Sequence, residues 1–315
     1  MEQFFHLKEN RTTVRTEVIA GITTFMTMAY ILAVNPNLLG KTGMDGGSVF
    51  TATALASAIA SFAMALLANL PFALSAGMGL NAYFTYTVCM GMGYSWEVAL
   101  AAVCVEGLIF IVLSLTNVRE AIFNAIPGEL KLAVSVGIGL FITFIGLQNA
   151  HIVVDGATLV TLFSFKDSVT SGTFSSEGIT VLLALIGMLI TALLVIKNVK
   201  GNILLGILIT WGLGILCQLF GLYVPNPDAR FYSLIPSSLI AMPASVTPTL
   251  FKMDFSDLLS LNFVVVVFSF LFVDIFDTLG TLIGCASKAD MLDKDGKLPR
   301  IKGALLADAI GTTVG

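Results

Sequence analysis

Apolar runs about as long as a bilayer is thick recur along this chain from near its start to its end, and few folds accommodate that pattern. A hydrocarbon core of roughly 30 Å is crossed by about 20 apolar residues. Runs of that length lie at roughly 17–35, 49–70, 74–91, 96–117, 131–149, 178–196, 203–222 and 258–286, with a ninth beginning near 303. Composition agrees: of 315 residues, 57% are hydrophobic and only 11% charged, and the mean hydropathy of +0.94 is far from that of a soluble domain. The chain therefore reads as an all-α polytopic membrane protein.

Lys and Arg near span ends set orientation. With a cytoplasmic N-terminus, twelve of the 16 Lys and Arg residues fall on the inside, among them Arg15, Arg119, Lys200 and Arg300, and four on the outside, namely Lys41, Lys166, Arg230 and Lys252. The same count supports the order of spans, since one missed helix would scramble the asymmetry beyond it. The segment MEQFFHLKENRTTVRTE is polar and precedes a long apolar run, so no cleaved signal peptide is expected. The four cysteines lie within or at the ends of spans and read as small apolar residues; neither a disulfide nor a metal site is expected, and no cofactor. The two long outer connections, 150–177 and 223–257, have room for a short strand or an interfacial helix. The inner loop 287–302 contains DKDG but lacks the Glu that closes a calcium loop, and reads as a solvated turn.

Two segments depart from this apolar background. In FVDIFDTLGTLIG, residues 272–284, Asp274 and Asp277 stand three apart, on one face of a helix, with Thr278 beside them. An ionised acid at mid-membrane costs about 2.5–3.5 kcal/mol on insertion scales. A pair of them points to a polar ligand or an ion pathway, with hydrogen bonding to neighbouring helices as the plainer alternative. In FALSAGMGLNAYFTY, residues 72–86, Ser75, Gly77 and Gly79 follow Pro71 closely and make poor helix. The third span is therefore expected to be broken. Residues 72–79 would run extended, with Gly79 allowing close backbone approach, the helix would start near Leu80, and Asn81 in its first turn would offer both a donor and an acceptor. Glu106, a lone acid in the fourth span, suits either a hydrogen bond within the bundle or proton movement. Asp308 lies in the ninth run.

TEVIAGITTFMTMAYILAVNP, SAGMGLNAYF and FVDIFDTLGT, in that order along the chain, resemble the AzgA-like branch of the nucleobase:cation symporter-2 type, the adenine, guanine and hypoxanthine permeases. The likeness covers essentially the whole chain. It implies a fold of fourteen spans in two inverted repeats of seven, with a core domain that carries substrate and a gate domain. Residues 1–118 (spans 1–4) and 258–315 (spans 8–9) would be core, and 119–257 (spans 5–7) gate. By the same resemblance Asp274 looks like the eighth-span acid that hydrogen-bonds the purine, Asp277 like a neighbour supporting binding or proton coupling, and Asn81 like the third-span polar residue of the site. Thr278 and Gly79 would complete the substrate contacts, and Glu106 would join Asp274 and Asp277 in proton coupling.

The expected protein is a secondary active transporter of the cell membrane, not an enzyme. Its partners would be a purine nucleobase, a proton and the lipid bilayer, with no nucleic acid; homo-oligomerisation is compatible with the pattern. The family's tenth-span acid has no counterpart before Gly315, about 13 residues into the ninth span and too few to cross, so the chain is expected to be an N-terminal fragment truncated in that span. Two rivals are weaker. An intramembrane prenyltransferase needs two facing Asp motifs with basic partners, and a sulfate-type anion transporter would favour cations over paired acids.

Overall fold

The computed structural model describes Phe5, Leu7 and residues 12–116, 118, 127–229, 231–236, 238, 240–288, 291–292 and 298–315. The turn expected around DKDG, residues 293–296, lies outside the described residues. The chain is mainly helical, and among the described residues six helical stretches are long and apolar enough to cross a membrane.

Helix α1 (Val14–Met28) is capped by Thr13, whose hydroxyl accepts from the Thr16 N–H at 3.3 Å. A turn at Ala29–Tyr30 separates it from α2 (Ile31–Leu39), which contains Pro36. Asp45 caps α3 (Gly46–Ala63) by accepting from the Ser48 N–H at 2.7 Å, as short polar side chains do where the first turn leaves N–H groups unpaired. A π-helical turn, Met64–Ala68, ends α3 at Asn69, which has a left-handed φ of 51°. Residues 70–77 are non-helical, as expected of a broken third span. Helix α4 (Met78–Ala82) starts two residues earlier than Leu80, because Gly77 is extended (φ −74°, ψ 122°) and its carbonyl already accepts from the Asn81 N–H at 3.1 Å. It continues as a π-helix over Tyr83–Gly91. Helices α5 (Trp96–Leu115) and α6 (Gly128–Asn149) follow.

The first long connection contains the hairpin β1 (Val153–Gly156) and β2 (Leu159–Leu162), antiparallel with Val153 opposite Leu162, and then a short helix α7 (Phe165–Thr170). Helices α8 (Ile179–Ile196), α9 (Asn202–Leu219), α10 (Leu261–Lys288) and α11 (Ile301–Val314) complete the chain.

The chain divides into two compact units, Met1–Phe141 with Pro243–Gly315, and Ile142–Met242. In the first, Phe84, Val88, Val98, Ala102, Val266 and Phe270 form one buried apolar cluster, and Met64, Ala68, Leu282, Ala304 and Leu305 another. Close helix approach depends on small residues. A Cβ on Gly107 of α5 would meet the Thr313 Cα of α11 at 2.9 Å, and one on Gly311 would meet Ala60 Cβ of α3 at 3.0 Å. In the second unit α8 and α9 pack reciprocally. Gly187 faces Thr210 and Gly206 faces Thr191, while the Thr191 and Thr210 hydroxyls donate to the Gly187 and Gly206 carbonyls of their own helices at 2.8 and 2.7 Å. The irregular stretch after α9 is tied back to it: Trp211 Nε1 donates to Leu234 O at 2.9 Å and Gln218 Nε2 to Ser233 Oγ at 2.8 Å.

Candidate functional site

Asp274 and Thr278 occupy successive turns of α10, each only 4% exposed. Their position draws in α11. The Thr278 hydroxyl donates to Asp308 Oδ2 at 2.7 Å and lies 3.4 Å from Asp274 Oδ1, so its single proton is committed mainly to Asp308. The Thr312 hydroxyl, one turn beyond Asp308, reaches Asp274 Oδ2 and the Asp308 carbonyl, both at 3.3 Å. Thr278 thus links carboxyl groups on two helices, and Thr312 ties the Asp274 carboxyl to the backbone of α11. The sequence placed Asp308 only in an unfinished run; its partnership with Thr278 spans 30 residues and has no local signature.

Asp277 faces a different neighbour. A Cβ built on Gly77 would lie 2.8 Å from Asp277 Oδ2, so the extended backbone of the third span runs directly against this acid. Gly79, expected to provide that approach, has room to spare, since the nearest atom to a Cβ there is Phe141 Cε1 at 4.0 Å. The closest approach has moved two residues towards the N-terminus together with the helix start.

Helix α3 holds the extended segment in place. Thr53, Ser57 and Ser61 are four residues apart and share one face of the helix. Ser57 Oγ lies 2.6 Å from Ser75 Oγ, while Ser61 Oγ accepts from the Leu74 N–H at 3.0 Å and donates to the Leu74 carbonyl at 3.2 Å. Backbone that leaves the helical ladder inside a membrane needs such partners. Thr53 serves Asn81 indirectly: Asn81 Nδ2 donates to Asn35 Oδ1, and Asn35 Nδ2 donates to Thr53 Oγ1 at 3.1 Å. Asn35, buried at 3% exposure on α2, is a site neighbour that sequence reading passed over inside AVNPN. Glu106 is fully buried on α5, next to the Gly107 that packs on α11.

The geometry therefore joins Asp274, Thr278 and Asp308 across α10 and α11, sets Asp277 against Gly77, and ties Asn81 to α2 and α3. Buried acids and amides around a non-helical stretch suit the binding of a polar solute at mid-membrane. Comparison with known proteins agrees, as the Permease family profile matches residues 15–315. The chain belongs to the Permease family. All of the chain aligns with the guanine/hypoxanthine permease PbuG of Bacillus subtilis at 43% identity, covering 69% of that protein. The adenine permease AdeP of Escherichia coli K12 is 38% identical, again over all of this chain and 65% of its own length. The guanine/hypoxanthine permease GhxP of Escherichia coli O157:H7 is 30% identical over 99% of the chain and 66% of its own length. The chain thus spans about two thirds of the length of these relatives. Membership of this family makes it a multi-pass membrane permease rather than an enzyme, and sets the prenyltransferase reading aside.

Proposed function

We propose that this permease imports purine nucleobases, guanine, hypoxanthine and adenine among them, by proton symport across the cell membrane, with its N-terminus in the cytoplasm. The observation that carries the reading is the pair Asp274 and Asp277 on one face of α10. The first is buried among hydroxyls, and the second lies against the extended third span at Gly77. A purine displays ring N–H and exocyclic amino groups from which a carboxylate accepts, and an Asn side chain matches its mixed donors and acceptors. Asp274 takes the purine, Asp277 and Thr278 support it, and Asn81 meets it from the third span near Gly79. The acids, with Glu106 as a further candidate, take up the coupled proton. The names of PbuG, AdeP and GhxP support the substrate class.

In this reading residues 1–118 and 258–315 form the core domain, and 119–257 the gate, of a fold built from two inverted repeats of seven spans. The test is uptake of radiolabelled purines by cells expressing the native protein at its natural length. Uptake should rise as external pH falls, collapse with a protonophore and ignore sodium. A strict sodium requirement at constant pH would overturn the proton assignment, and competition by sulfate instead of purines would overturn the substrate.

A further inference from the structure

Asn81 is an amide with two unlike ends, and which end faces a substrate decides what it can recognise. Its Nδ2 donates to Asn35 Oδ1, and Asn35 Nδ2 in turn donates to Thr53 Oγ1. The three side chains come from α4, α2 and α3. Asn35 and Thr53 are buried, at 3% and 7% exposure, so water does not compete freely for their polar atoms. Once Thr53 accepts, the Asn35 amide must turn its oxygen to Asn81, and that oxygen can bind only the Nδ2 end of Asn81. A relay of two hydrogen bonds therefore leaves Asn81 Oδ1 as the end available to a ligand.

We propose that Asn35, oriented by Thr53, is a positioning residue that fixes the carboxamide of Asn81 with its oxygen towards the substrate, so that Asn81 recognises an N–H donor on the nucleobase. This rests on the reading of Asn81 as a purine contact. The inverted amide would present two N–H groups instead and would select for an acceptor at the same place. A buried side chain left unpaired is costly, whereas a satisfied relay holds one geometry.

The test is a double-mutant cycle read in purine uptake, with Asn35→Ala and Asn81→Ala made singly and together in the native protein and each normalised to protein in the membrane. Loss of one orienting hydrogen bond should raise the apparent KM about fivefold with the maximal rate within about twofold, since a net bond is worth about 1 kcal/mol. In the Asn81→Ala background Asn35→Ala should change KM by less than about twofold, because its effect passes through Asn81. An equal effect in both backgrounds overturns the proposal. If Asn81→Ala carries too little purine to measure, Thr53→Val and Thr53→Ser decide the matter. Valine should raise KM about threefold with the maximal rate within about twofold, and serine, which keeps the acceptor, should restore the native KM; an unchanged KM in Thr53→Val overturns the proposal. Absence of saturable purine uptake by the native protein, or native KM in Asn81→Ala alone, would show instead that the underlying reading had failed, and the proposal would fall with it.

Discussion

The backbone of Gly77 lies so close to Asp277 that a single added carbon would stand 2.8 Å from the carboxylate Oδ2. This contact joins the two segments that break the chain's apolar pattern, the extended stretch of the third span and the acidic face of α10. Gly77→Ala should therefore push Asp277 from its place, an overpacking change of about 1–3 kcal/mol. Initial purine uptake should fall about tenfold or more. Gly21→Ala, where a Cβ meets nothing within 4 Å, should stay within about twofold of native, and equal losses in the two variants would dissociate the site from the Gly77 contact.

Asp274→Asn should abolish purine uptake while leaving the protein inserted in the membrane. The amide keeps the shape of the side chain and an oxygen able to accept from Thr312, which reaches Asp274 Oδ2 at 3.3 Å, so the α10–α11 contact survives. What is lost is the charge and one acceptor for a purine N–H. Native uptake at native expression would remove Asp274 from the site.

The serine ladder on α3 makes a third expectation. Ser61 satisfies both the N–H and the carbonyl of Leu74, at 3.0 and 3.2 Å, whereas Ser57 meets only the Ser75 hydroxyl. Ser61→Ala strands two backbone groups, at about 1–3 kcal/mol each. Its melting temperature in detergent should fall well below that of Ser57→Ala, and a cysteine placed at residue 73 should label faster in Ser61→Ala than in the parent protein.

These partnerships mark the limit of sequence reading for this chain. The spans were legible because about 20 apolar residues have few other uses, and Asp274, Asp277 and Asn81 stood out because their polarity is costly there. The break near Gly77 was legible from Pro71 and the small residues. The hydroxyl residues were not, since a Ser or Thr in a span can satisfy itself on its own helix, as Thr23 does with the Ile19 carbonyl at 2.8 Å and Thr27 with that of Thr23 at 2.9 Å. Only the fold distinguishes those from Ser61. Asn35 and Asn81, 46 residues apart, and Thr278 and Asp308 carry no mutual signal along the chain.

Asp45 should give α3 a pH-dependent cap. Its carboxyl is held below the usual carboxylate range by the Ser48 backbone N–H and then by the Ser48 side chain. A depressed native value adds stability that is present above the unfolded value of about 3.9 and is lost as pH falls through the native one. Asp45→Ala should therefore melt below native at neutral pH, and the gap should narrow as the pH falls below about 4. Asp45→Asn, which caps without ionising, should keep its advantage over Ala at both pH values.

The contact of α5 with α11 supplies the last expectation, because it supports the helix that carries Asp308. A Cβ on Gly107 would lie 2.5 Å from Thr313 Oγ1, 2.9 Å from its Cα and 3.0 Å from its N. Two of these three atoms belong to the backbone, and the hydroxyl is held by the Ala309 carbonyl at 2.7 Å, so the neighbour cannot swing aside. Gly107→Val should force the helices apart, with a loss of about 1–3 kcal/mol or more seen as a lower melting temperature and a lower yield of folded protein. Removing the hydroxyl in Gly107→Val/Thr313→Ala should recover little of it, since the Cα and N clashes remain. Gly21→Val on α1, where a Cβ meets nothing within 4 Å, should melt close to native. Full rescue by Thr313→Ala would mean that the two helices touch through that hydroxyl alone, and the close backbone approach described for α5 and α11 would be wrong.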